Sequence, residues 1–225
     1  MIPLRDRNPS GSFPAVTVTL IAANIVVFLY ELMAQQDLAH LFSAYALIPG
    51  KITLALQSGS LPLSDVVTPF FSSMFLHGGW LHLIGNMWYL WIFGDNVEDA
   101  LGPVRFLLFY LLTGLGAGIT HYLLNPASSI PTVGASGAIS GVLAGYATLF
   151  PHARVVTLVP LGFFIQIMEL PAVVLLVIWV LIQALSGLVS FGLAQSGGVA
   201  WGAHVGGFVG GLVLVRLLRP RRVMA

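Results

Sequence analysis

The chain contains no cysteine and very few charged residues. The absence of cysteine among its 225 residues excludes a disulfide framework, a thiol nucleophile and a metal site with cysteine ligands. Only 8% of the residues are charged, whereas roughly a quarter are charged in an ordinary soluble domain. Nine Lys and Arg nearly balance eight Asp and Glu, for a formal net charge of +1, so no basic face is available for nucleic acid. These deficits exclude a soluble enzyme and a nucleic-acid-binding protein.

The chain is rich in apolar residues. They make up 57% of the chain, with a mean hydropathy of +0.94. A bilayer core of about 30 Å needs about 20 apolar residues in each helix that crosses it. Six stretches qualify or nearly do, at residues 13–32, 79–93, 105–124, 135–150, 170–193 and 199–218. The sequence therefore predicts an all-α, polytopic membrane protein with six transmembrane helices in a single domain over residues 1–225, its core covering about 14–218.

The basic residues predict the orientation of these spans. With six spans, eight of the nine fall on one side of the membrane and only Lys51 on the other; the eight are Arg5, Arg7, Arg105, Arg154, Arg216, Arg219, Arg221 and Arg222. Because Lys and Arg concentrate on the cytoplasmic side, we expect both termini in the cytoplasm. Asp95, Glu98 and Asp99 are expected in a cytoplasmic turn after the second span. No separate apolar segment precedes the first span, which is expected to be a retained helix.

The connection between the first two spans is unusually long. Residues 34–77 form an external segment of about 44 residues with apolar patches and several prolines. A connection of this length commonly has a function or structure of its own. We expect it to lie partly in the outer interface without crossing the membrane.

Polar residues inside the spans mark the candidate site, because such side chains are costly in lipid. Ser136 begins the fourth span, His204 lies near the start of the sixth, and the second span carries His82 and Asn86. Ser136 and His204 each precede the cytoplasmic end of their span by 14 residues, or roughly 21 Å at the helical rise. Both are therefore predicted at one level, about 9 Å below the outer surface of a core about 30 Å thick.

Glycines at a spacing of four predict which spans touch. The fourth span carries Gly137 and Gly141 next to Ser136, and the sixth carries Gly207 and Gly211 below His204. Small residues at this spacing let helix backbones approach closely in lipid. Packing of the two stripes would bring Ser136 to His204, although tight packing without any catalytic role also accounts for the glycines.

A serine and a histidine at one depth suggest nucleophilic catalysis. A neutral imidazole is the commonest base for a serine hydroxyl, and the backbone N–H groups at the start of a helix can stabilise an oxyanion. His82 and Asn86, four residues apart on one helix face, could add side-chain donors. The pattern predicts a Ser–His dyad without an acidic member, because the nearest carboxylates are expected close to the membrane surfaces: Glu31, Asp37, Asp65 and Glu169.

These residues resemble the rhomboid family of intramembrane serine proteases over roughly residues 14–218. The matching motifs are Gly-Ala-Ser-Gly-Ala at 134–138, Ala203-His204 followed by Gly207 and Gly211, and the HxxxN element of His82 and Asn86. The resemblance implies a six-helix rhomboid bundle that cleaves transmembrane segments of membrane proteins.

The resemblance also implies a role for each site residue. Ser136 would be the nucleophile and His204 the general base, with the Ser136 N–H, His82 and Asn86 forming the oxyanion hole. The resemblance implies no cofactor, and we predict no metal site. Some members have an aromatic residue on the catalytic histidine four positions after the nucleophile, where this chain has Ser140.

Other functions are compatible with some of these features. A transporter or channel also buries His, Asn and Ser near a cavity, and His77, His82 and His204 could in principle hold a metal. A catalytically inactive relative that binds membrane proteins is the main non-enzyme alternative. We expect a prokaryotic plasma membrane as the location; the sequence makes no prediction of the oligomeric state.

Overall fold

The computed structural model describes residues 1–59, 61–161, 164–192 and 201–220. Within these ranges the chain forms nine α-helices and three β-strands. Six helices coincide with the six predicted spans: α1 (Ala15–Met33), α5 (Trp80–Leu101), α6 (Pro103–Leu124), α7 (Ser136–Leu149), α8 (Ala172–Gly192) and α9 (Trp201–Leu218). Residue 193 of the predicted fifth span and residues 199–200 of the sixth lie outside the described residues.

The predicted all-α transmembrane bundle is confirmed. Three of the described helices, α1, α6 and α9, are individually long and apolar enough to cross a membrane, and α7 and the first part of α8 are shorter apolar helices. On the outward faces of the helices large apolar side chains are exposed, as expected where the surrounding solvent is lipid.

Helix α7 forms the centre of the bundle, because its small residues admit neighbouring backbones. Residues 137–146 of α7 are all buried. A Cβ atom added at Gly207 of α9 would lie 2.0 Å from the carbonyl oxygen of Gly137, and one at Gly211 would lie 2.5 Å from that of Gly141. The backbones of α7 and α9 are thus in direct contact along the two glycine stripes.

Helix α5 is two turns longer than the predicted span, so the prediction of a turn at the acidic residues is wrong. Asp95, Glu98 and Asp99 lie in its last turns. The Glu98 carboxylate is buried and accepts hydrogen bonds from the backbone N–H groups of Val16 and Thr17, at 2.9 and 2.7 Å. It satisfies otherwise unpaired donors at the start of α1, which explains how a charged residue is accommodated inside a helical bundle.

The long external segment has structure of its own. A 3-10 turn (Gln35–Asp37) is followed by α2 (Leu38–Tyr45), α3 (Pro49–Ser58) and α4 (Leu63–Ser72). Four buried residues hold this segment together, namely Leu47, Ile52, Ala55 and Val66. Thr132 pairs with Leu47 through backbone hydrogen bonds of 2.9 and 3.1 Å, and so ties the segment to the chain that enters α7.

A small antiparallel sheet was not predicted. It consists of β1 (Ile2–Asp6), β2 (Arg154–Leu161) and β3 (Phe164–Pro171) in the order β1-β2-β3. The strands β2 and β3 form a hairpin between α7 and α8, and β1 pairs with β2 so that Asp6 lies opposite Val155 and Ile2 opposite Leu158. The sheet therefore links the start of the chain to the connection between the fourth and fifth spans.

Candidate active site

The structure brings Ser136 and His204 together. Ser136 is the first residue of α7 and His204 lies in the first turn of α9. The Ser136 Oγ atom is 2.8 Å from the Nε2 atom of His204, a distance at which the hydroxyl can donate to an unprotonated ring nitrogen. The imidazole is buried, with 7% of its surface exposed, while Ser136 is partly exposed.

Both residues line a cavity of about 630 Å³. Its walls combine polar side chains with apolar ones from several spans; the polar or aromatic members include His82, Asn86, Tyr89, Trp179 and Trp201. A cavity of this size accommodates several residues of an extended peptide or a comparable volume of water. The site is thus a concave, mostly apolar chamber with a few convergent polar groups, which is typical of a binding or active site.

Gly134 places the backbone of the loop before α7 directly against His82. Its φ of +117° lies in the region that favours glycine. A Cβ atom at this position would lie 2.5 Å from His82 Nε2 and 3.4 Å from Asn86 Nδ2. The Gly134 N–H donates to the carbonyl of Ser73 at 2.8 Å, which anchors the loop. His82 and Asn86 consequently lie beside the backbone that leads into Ser136.

This arrangement can supply donors to a developing oxyanion. The first N–H groups of a helix have no acceptor within the helix, and Ser136 is the first residue of α7. His82 and Asn86, whose side chains carry N–H groups, line the same cavity. Preorganised donors of this kind are a major source of stabilisation in acyl-transfer reactions.

Asn86 is held by His77, a contact that the sequence did not predict. The Asn86 Nδ2 atom lies 2.9 Å from Nε2 of His77. Because an amide nitrogen can only donate, this ring nitrogen must accept, so the ring proton lies on Nδ1, which is 3.3 Å from the Phe75 carbonyl. Burial, with a contribution from nearby His82, lowers the pKa of His77 to about 4. His77 is therefore a neutral acceptor that fixes the amide of Asn86.

Glu31 holds the loop that carries His77. Although it was expected near the outer surface, its side chain is only 3% exposed. Its carboxylate accepts the backbone N–H of His77 at 3.0 and 3.3 Å. The loop that carries His77 is thus fastened to α1, and the contact extends from α1 through His77 to Asn86.

Ser140 does not support the imidazole of His204. It is buried, and its hydroxyl donates to the Ser136 carbonyl at 2.7 Å. Two indoles pack around His204: Trp179 of α8, with ring centroids 5.8 Å apart and planes inclined by 36°, and Trp201 of α9, at 6.1 Å and 89°. Nothing in the sequence distinguishes Trp179 from the other tryptophans of the apolar spans, and only the fold shows that it faces the site.

Among the residues that the structure describes, no Asp or Glu lines the cavity that holds Ser136 and His204. Of the eight in the chain, Glu98 binds the first turn of α1, Asp99 binds the segment that leads into α1, and Glu169 pairs with Arg7. Asp6 accepts a hydrogen bond from the Tyr146 hydroxyl at 2.7 Å. Within the described part of the chain, no group of three or more His, Asp or Glu side chains is arranged to hold a metal ion.

Comparison with known proteins agrees with this architecture. The family model described as the Rhomboid domain matches residues 64–221, which is more than half of the chain. The chain therefore belongs to the rhomboid family, whose members are polytopic helical membrane proteins. The protein is an integral membrane protein. The family acts on membrane proteins within the bilayer and consists generally of serine proteases, though it also includes inactive members.

Three curated relatives illustrate the similarity. The human "Presenilin-associated rhomboid-like protein, mitochondrial" is 33% identical over 143 residues, covering 61% of this chain and 34% of the relative. "RHOMBOID-like protein 4" of Arabidopsis thaliana is 34% identical over 186 residues, covering 76% and 41%. "Rhomboid-like protein 11, chloroplastic" of the same plant is 41% identical over 75 residues, covering 33% and 26%. The matched region thus spans less than half the length of each relative.

Proposed function

We propose that the protein is an intramembrane serine endopeptidase that hydrolyses peptide bonds in or near transmembrane segments. The observation that carries this proposal is the 2.8 Å contact between Ser136 Oγ and His204 Nε2. It occurs inside a cavity lined also by His82, Asn86 and the start of α7. A nucleophile, a base and oxyanion donors are thus within reach of one reacting carbonyl.

The proposed reaction begins with proton transfer from Ser136. The unprotonated Nε2 of His204 takes the hydroxyl proton while Oγ forms a bond to the carbonyl carbon of the substrate. The resulting oxyanion accepts hydrogen bonds from the Ser136 N–H and from the side chains of His82 and Asn86. His204 then protonates the leaving nitrogen as the C–N bond breaks, which releases the amine product and leaves an acyl-enzyme.

Hydrolysis of the acyl-enzyme completes the cycle. His204 accepts a proton from water as the water oxygen attacks the ester carbon, and the same oxyanion donors stabilise the second tetrahedral intermediate. Its collapse returns the proton to Ser136 Oγ and releases a carboxylic acid. Neither step requires a cofactor or a metal ion.

The substrates that fit the site are membrane proteins presented from the bilayer. On the predicted orientation, both termini face the cytoplasm and the cavity opens towards the outer half of the membrane. The eight arginines on one side support this orientation. We infer a prokaryotic plasma membrane, although two of the relatives above are named mitochondrial and chloroplastic. Residues 1–225 would form a single rhomboid domain with its core over about 14–218.

Cleavage of a model transmembrane substrate by the purified protein tests the proposal. We expect wild-type protein to cleave in detergent and in vesicles, and Ser136→Ala and His204→Ala to lose activity while remaining folded. Ser64→Ala and His40→Ala, which change exposed residues of the external segment, serve as matched controls and should retain it. A metal chelator should have no effect.

Covalent labelling separates an inactive protein from a poor choice of substrate. A fluorophosphonate probe should label wild-type protein at Ser136 and leave Ser136→Ala unlabelled. If folded wild-type protein neither cleaves nor labels, the proposal fails and the protein is better described as an inactive relative that binds membrane proteins.

A further inference from the structure

The hairpin of β2 and β3 presents an apolar surface that the helical bundle does not cover. Residues 155–168 contain no charged side chain. Phe164, Ile165 and Ile167 are 75%, 69% and 66% exposed, and because neighbouring strand residues point to opposite faces, both faces of β3 carry exposed apolar side chains. In water, an apolar stretch without charges at the open edge of a sheet is prone to aggregation. This surface therefore requires a nonaqueous environment or a partner.

Charged residues gather at the base of the hairpin, where it joins the bundle. Arg154 begins β2, and Glu169 near the end of β3 forms a 2.7 Å ion pair with Arg7. Arg5 lies opposite Val156 in the neighbouring strand. All four charged side chains are exposed. The hairpin is thus amphipathic along its length, charged at its base and apolar towards its turn.

The sheet is continuous with the lipid-facing surface of the spans. Helix α5 exposes an apolar stripe at helical spacing, formed by Leu81, Ile84, Trp88 and Trp91. The indole N–H of Trp88 donates to the carbonyl of Pro3 in β1 at 2.7 Å, so the start of β1 lies beside this stripe. Strand β3 leads directly into α8, where Val173, Val174 and Val177 are also exposed. Because these helices belong to an integral membrane protein, their exposed apolar stripes face lipid.

We propose that the β2–β3 hairpin binds the bilayer, lying in the interfacial layer of the leaflet on the arginine-rich side. The apolar side chains of β3 would contact acyl chains, while Arg5, Arg7 and Arg154 lie among lipid phosphates. The hydrocarbon centre is unsuitable, since the outer edge of β3 presents unpaired backbone groups that need hydrogen-bond partners. Water and headgroups supply those partners in the interface. This proposal is independent of the protease activity.

Site-directed spin labelling tests the location directly, because the chain has no native cysteine. A nitroxide is attached to Ile167→Cys in protein reconstituted into vesicles of phosphatidylethanolamine and phosphatidylglycerol. Leu181→Cys, exposed on α8, is the matched lipid-facing control, and Gln36→Cys, exposed in the external 3-10 turn, is the aqueous control. We expect the label at residue 167 to collide with oxygen far more than with a water-soluble nickel complex, as at residue 181. A label at Ile165→Cys repeats the measurement if the first variant folds poorly.

Two results would overturn the proposal. Nickel accessibility at residue 167 equal to that at residue 36 would place the hairpin in water. Low accessibility to both reagents, with spin–spin broadening between labels, would show that a second copy of the chain covers β3. The sites at 181 and 36 show in the same experiment that the vesicles and reagents behave as intended.

Discussion

The indole of Trp179 and the imidazole of His204 pack against each other with their planes inclined by 36° and their ring centroids 5.8 Å apart. The contact joins α8 to α9 at the wall of the cavity. His204 becomes an imidazolium in the proposed mechanism, and an aromatic face within about 6 Å of a cation stabilises it by roughly 0.5–2 kcal/mol. In the proposed mechanism, Trp179 would therefore orient the imidazole and stabilise the transient imidazolium.

Replacing Trp179 is expected to slow cleavage without unfolding the protein. We expect Trp179→Leu to lower kcat/KM by about 2- to 30-fold, the range that corresponds to the loss of one cation–π contact. Trp179→Phe should lose less, because it retains an aromatic face. Leu181→Ala, on the exposed side of the same helix, should behave like wild type. Wild-type kcat/KM in Trp179→Leu would contradict a positioning role for the indole.

Gly134→Ala is expected to abolish activity through the oxyanion hole. The added methyl group would lie 2.5 Å from His82 Nε2, and the φ of +117° is unfavourable for alanine. The His82 ring must therefore move, or the loop before Ser136 must change its conformation. Cleavage assays and fluorophosphonate labelling measure the loss.

A second glycine provides the control for Gly134→Ala. Gly116 lies inside α6, and a Cβ atom there would meet no atom within 4 Å. Gly116→Ala should leave activity intact and slightly raise stability, since alanine favours a helix over glycine by about 1 kcal/mol. Full activity in Gly134→Ala would show that His82 is not held by this contact.

Gly207→Ala is expected to separate α7 from α9. The added methyl group would lie 2.0 Å from the Gly137 carbonyl oxygen, which is backbone and cannot rotate away. Overpacking of this kind costs about 1–3 kcal/mol, and it would also lengthen the distance between Ser136 and His204. Gly210→Ala is a matched control on the same helix, because nothing lies within 4 Å of a Cβ atom there. Thermal unfolding in detergent should show a lower midpoint for Gly207→Ala alone; equal midpoints would mean that the helices are not in tight contact here.

The spans and the Ser136–His204 pair could be predicted from the sequence because both follow from one-dimensional rules. Hydropathy gives the length of a span, and counting residues along a helix gives depth, since the rise per residue is fixed. The burial of Glu98 could not be predicted this way. Its carboxylate binds the start of α1, 81 residues earlier in the chain at Thr17, and nothing local indicates such a partner.

The sheet and the role of Trp179 were missed for a related reason. The strands β2 and β3 are mostly apolar, with their charged residues Arg154 and Glu169 near the base of the hairpin, so they lack the regular alternation that marks a half-buried strand. Trp179 is one of several tryptophans in apolar spans, and hydropathy does not distinguish an indole that faces lipid from one that faces a site. Both features depend on which elements become neighbours, which composition and periodicity do not specify.

Mild acid is expected to destabilise the protein through His77. The histidine has an ordinary pKa of 6.5, and burial lowers it to about 4 in the folded state. Between these values the unfolded chain binds a proton that the folded protein does not, so stability falls as pH decreases from about 6.5 towards 4. This single group should lower the free energy of unfolding by about 2 kcal/mol between pH 7.5 and pH 5.

His77→Gln isolates this contribution from that of the other histidines. A glutamine carbonyl can still accept the hydrogen bond from Asn86 but does not titrate. We expect His77→Gln to be less stable than wild type at pH 7.5, with the difference shrinking by about 2 kcal/mol at pH 5. The remaining histidines are present in both proteins, so their contributions to the pH dependence of stability cancel in the comparison. Parallel stability curves for the two proteins over this pH range would show that His77 is not held as a neutral acceptor for Asn86.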